Sequence, residues 1–72
     1  MNNSLTEAQA ILAANRSDKA AREFMTTEQR TALAEDCAAR KQFLSASHFT
    51  PDADARKEFE RLFWVSIKPK NN

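Results

Sequence analysis

Seventy-two residues hold one domain, and a chain this short buries only about 60% of its unfolded surface, so its core needs reinforcement. Eleven basic and ten acidic residues leave a net charge of +1, which excludes both the strong positive field of a nucleic-acid binder and the acidic bias of a nucleic-acid mimic. Glycine is absent, which removes the phosphate-cradling loop, the dinucleotide fingerprint and the nucleophile elbow, since each needs a residue free to take φ > 0.

Thirteen alanines favour helix throughout. The expected fold is all-α, a single helical domain over residues 1–72 with frayed ends at 1–3 and 69–72. Three to four helices would surround one long central helix over residues 27–45. The longest run of large apolar side chains, residues 62–65, is far too short for a membrane span, so no membrane partner is expected. Cys37 is the only cysteine, so no internal disulfide can form, and the cytoplasm is the expected compartment. The reinforcement left to such a chain is association, as a homodimer or on a partner.

In chain order, Ser4 and Glu7 have capping-box spacing and open a first helix with Leu5, Ala8, Ile11 and Leu12 inward. Asn15 is expected to stop it by taking the left-handed conformation that glycine would otherwise supply. Ser17 caps a second helix over 18–25, with Asp18 at its positive end and Ala20, Ala21 and Phe24 inward. The break between these two helices is weakly marked.

Thr26 and Gln29 form another capping box, opening the central helix. At 100° per residue, Leu33, Cys37 and Leu44 fall within about 40° of one another, flanked by Ala34 and Ala38. About 100° away, Ala32, Ala39, Phe43 and Ala46 make a second strip. Two apolar faces on one helix imply partners on both sides, and a homodimer is expected to supply one of them. Thr50, Pro51 and Asp52 then give a cap, a proline at the first helical position and an acid in the first turn. The last helix runs to about Ile67, where Lys68 and Lys70 suit its negative end and Pro69 blocks continuation. Its inner face is Ala55, Phe59, Leu62, Phe63 and Ser66; Trp64 and Val65 lie off that face. A short strand over 63–68 has no second strand to pair with.

Few constellations carry chemistry. Cys37 and His48 could form a nucleophile–base pair, but Cys37 sits within an apolar stripe. His48, Asp52 and Asp54 have the look of a metal cluster without a fourth ligand. The acids Glu35 with Asp36, and Glu58 with Glu60, are too close in sequence to face one another across a helix. No catalytic, cofactor-binding or metal site is therefore assigned, and no small-molecule substrate. A helix-turn-helix could place Arg40, Lys41 and Gln42 toward DNA, although residues 38–41 offer no helix-breaking residue.

What remains is an excess of aromatic residues over what a small bundle can bury. Phe43, Phe49, Lys57, Arg61, Trp64 and Val65 are the expected interface, apolar and aromatic anchors with cationic rims. The expected function is non-enzymatic: a small cytoplasmic regulator, inhibitor or accessory subunit docking on a partner protein. The alternative is a small helical DNA-binding transcriptional regulator.

Overall fold

The computed structural model describes residues 3–67 in five helices: α1 (Ser4–Ala13), α2 (Asp18–Arg22), α3 (Thr27–Ala39), α4 (Phe43–Phe49) and α5 (Ala53–Ile67). No strand occurs among the described residues, so the all-α bundle is what forms. The fraying expected at residues 1–2 and 69–72 lies outside the described residues, as do the capping roles of Lys68, Pro69 and Lys70.

The helix starts divide into two groups. Thr26 accepts from the Gln29 N–H at 3.1 Å while Gln29 Oε1 accepts from the Thr26 N–H at 2.9 Å, the reciprocal box its sequence implies. Ser17 Oγ accepts from the Ala20 N–H at 3.1 Å. By contrast, Ser4 lies inside α1, Asn3 takes the cap position without a side-chain bond, and the Glu7 N–H bonds to the Asn3 carbonyl. Glu7 itself accepts from Gln29 Nε2 at 3.0 Å, tying α1 to the start of α3 instead of to its own cap. The proline signal is displaced by two residues as well. Thr50 is extended (ψ 134°), as a residue before proline must be, and Asp52 Oδ2 accepts from the Ala55 N–H at 2.8 Å to open α5.

The largest departure is in the middle of the chain. The single central helix expected over 27–45 is broken at residues 40–42, and α3 ends there in a Schellman motif. The Gln42 N–H reaches back to the Cys37 carbonyl at 2.8 Å, and the Lys41 N–H to Ala38 at 2.9 Å. Lys41 takes φ 63°, the only positive φ among the described non-glycine residues. With no glycine in the chain, a lysine occupies the left-handed seat. Asn15, expected to be left-handed, instead ends α1 through its side chain, Nδ2 donating to the Ile11 carbonyl at 2.8 Å.

The break turns α4 back against α3, and residues 50–52 set α5 against α4. α1 covers another part of α3, while α2 bridges α1 and α4. The core consists of Ala8, Ala21, Met25, Leu33, Ala34, Cys37, Ala46 and Phe49. Half of these are alanines, which let the helices approach closely. Among the described residues Phe49 is the largest fully enclosed side chain, at 1% exposure. Two large side chains expected inward are not: Phe24 is exposed and Met25 takes its place, and Leu44, cut off from Leu33 by the break, is 41% exposed.

Two arginines hold the end of α4. Arg22 Nη1 donates to the His48 carbonyl at 2.9 Å, while Arg30 donates through Nε to Phe49 at 3.0 Å and through Nη2 to Thr50 at 3.4 Å. These carbonyls lie in the last turn, where helical partners run out, and charge-assisted bonds satisfy them.

Packing then makes two predictions. Phe49→Ala should destabilise the fold by about 3–5 kcal/mol, lowering the thermal midpoint in circular dichroism by more than about 10 °C, whereas Leu44→Ala should cost about 1 kcal/mol or less. Lys41→Gly should stabilise the protein by roughly 0.5–1 kcal/mol in urea denaturation, because glycine adopts the left-handed turn without a Cβ clash.

Candidate functional site

α5 is the one helix with no buried residue. Its inner positions Ala55, Phe59, Leu62 and Phe63 are half-buried, and Phe59 packs against the core. From Trp64 onward the helix is exposed on every side. Ser66, in phase with the inner face, is exposed too, and its hydroxyl turns back to the Phe63 carbonyl at 2.8 Å. The last turn therefore extends past the packed part of the fold.

Three large apolar side chains occupy that turn: Trp64 is 64% exposed, Val65 61% and Ile67 52%. The Trp64 indole meets Phe63 edge to face, with ring centroids 5.3 Å apart and planes at 66°. That contact limits the motion of the indole before anything binds it.

Of the residues expected at an interface, Trp64 and Val65 are therefore outward, and Lys57 is exposed on the same helix. Arg61 is exposed but engaged: Nε donates to Glu58 Oε1 at 3.1 Å and Nη2 to Oε2 at 2.6 Å, a two-pronged pair one turn apart. This bond, more than Coulomb attraction, holds the Glu58 carboxyl below its ordinary range. Phe43 is half-buried at the start of α4. Phe49 is a correction: it is the centre of the core and offers nothing to a partner. Ile67 was missed, although its place in the last turn, next to Trp64 in projection, was the available signal.

The remaining candidates separate. His48 Nδ1 lies 3.4 Å from Asp18 Oδ2, across from α2 rather than beside Asp52 and Asp54. Among the described residues no three His, Cys, Asp or Glu side chains are grouped to hold a metal ion. A cleft of about 390 Å³ opens beside this pair, lined by Ser17, Asp18, Lys19, Arg22 and His48. Cys37 is buried in the core and far in role from His48, whose ring faces Asp18. Arg40, Lys41 and Gln42 are exposed at the α3–α4 turn, with Arg40 paired to Asp36 at 3.2 Å. A turn does exist there, contrary to the sequence expectation. The helix after it packs against α2, α3 and α5, with Ala46, Ser47 and Phe49 buried.

No helix of the described residues is long and apolar enough to cross a membrane. No family model matches the chain, and no curated protein or solved structure matches it either.

Burial gives Cys37 a testable pH signature. Desolvation, followed by the charge of Asp36, pushes its thiol above the ordinary range. The unfolded thiol ionises first as pH rises, so stability should decline with increasing pH from the ordinary thiol range up to the raised folded value. Urea midpoints measured at rising pH should show this fall, and Cys37→Ala should abolish it. A thiol-reactive dye should label the native protein only as fast as it unfolds.

Proposed function

We propose that this protein acts by docking, without chemistry of its own, and that the last turn of α5 is what it offers to a partner protein. The observation that carries this reading is the exposure of Trp64, Val65 and Ile67 around one turn. Their bare portions amount to roughly 350 Å² of apolar surface, on the scale of the largest patch an isolated domain leaves uncovered.

The geometry favours one kind of partner. In helical projection the three side chains span about 160° of arc, more than a flat surface can cover at once. A groove can, in the manner of a helix laid into an apolar channel, with Glu60 and Lys57 one and two turns back along the Trp64 line. The patch is less than half of the ~800 Å² that each side of a stable complex contributes, so the walls of the groove must also reach the flanks of α5. A partner with an apolar groove is therefore favoured over a second copy of this chain. The homodimer expected from two bare faces of the central helix loses that premise, because α1 and α4 cover α3. A regulator, inhibitor or accessory subunit fits this mode of action, and an unpaired cysteine suits a reducing cytoplasm.

Trp64→Ala supplies the test. The side chain supports no core contact, so the variant should keep its thermal midpoint within a few degrees. It should lose partner binding by about 2 kcal/mol or more, roughly thirtyfold, in titration calorimetry with a partner captured by the wild type. Wild-type fluorescence should be close to that of free tryptophan and shift to the blue on binding. Equal affinity of the two proteins for every captured partner would overturn the reading. Sedimentation at tens of micromolar should give a monomer; a dimer dissociated by Trp64→Ala would replace the groove partner with self-association.

A further inference from the structure

We draw no further inference here: the strongest candidate, the cleft of about 390 Å³ between α2 and the end of α4, carries nothing, because its Asp18 and His48 side chains are partly exposed and face each other at 3.4 Å, its Arg22 is used on the His48 carbonyl, and nothing in the structure shows what would fill it.

Discussion

The fold depends on how the end of α4 is held. Seven residues cannot sustain a helix in water, and the last turn of this one, with Ser47 and Phe49 buried, leaves carbonyls without helical partners. Arg22 and Arg30 reach them from two different helices. Each arginine thereby joins its own helix to α4. Phe49 can be fully enclosed only because the turn that carries it is held at both of these points. α5, which touches little besides α4, inherits its position from the same clasp.

Much of this was legible in the sequence, and the failures share a cause. Hydrophobic spacing found the inner faces of α1, α3 and α5, and side-chain chemistry found the caps at Ser17 and Thr26. These features are local, fixed by residues three or four apart. The break at residues 40–42 is not local in this sense. No residue there disfavours helix, and a lysine in the left-handed conformation leaves no compositional mark. The signal was instead the second apolar strip. Phe43 and Ala46 stood about 100° off the Leu33–Cys37 line because they belong to a different helix, whose inner face has its own phase. A phase slip in a supposed single helix is better read as a turn than as two faces.

The same slip misplaced site residues. Once α4 folds back, Phe49 moves from the expected interface into the core and Leu44 moves outward. Trp64 and Val65 were legible because α5 is regular from end to end and their phase relative to Phe59 and Leu62 is unambiguous. The roles of Arg22 and Arg30 could not be read at all. Each bonds to carbonyls 19 or more positions away, and nothing in an arginine's neighbours along the chain announces that.

The composition of the core links this architecture to docking. A core half made of alanine lets short helices pack closely but buries little area per residue, so the isolated fold has a small margin of stability. Large apolar side chains that could have deepened it, those of Trp64, Val65 and Ile67, stand instead on the overhanging turn of α5. Drawing them inward would require α5 to lie across the bundle, and α4 is too short to support it along its full length. Any partner that covers this turn supplies burial the chain does not provide for itself. By linkage, such binding stabilises the folded state as well as the complex. A small chain with a modest core and an uncovered aromatic turn would thus gain in stability from the same contact through which we propose that it acts.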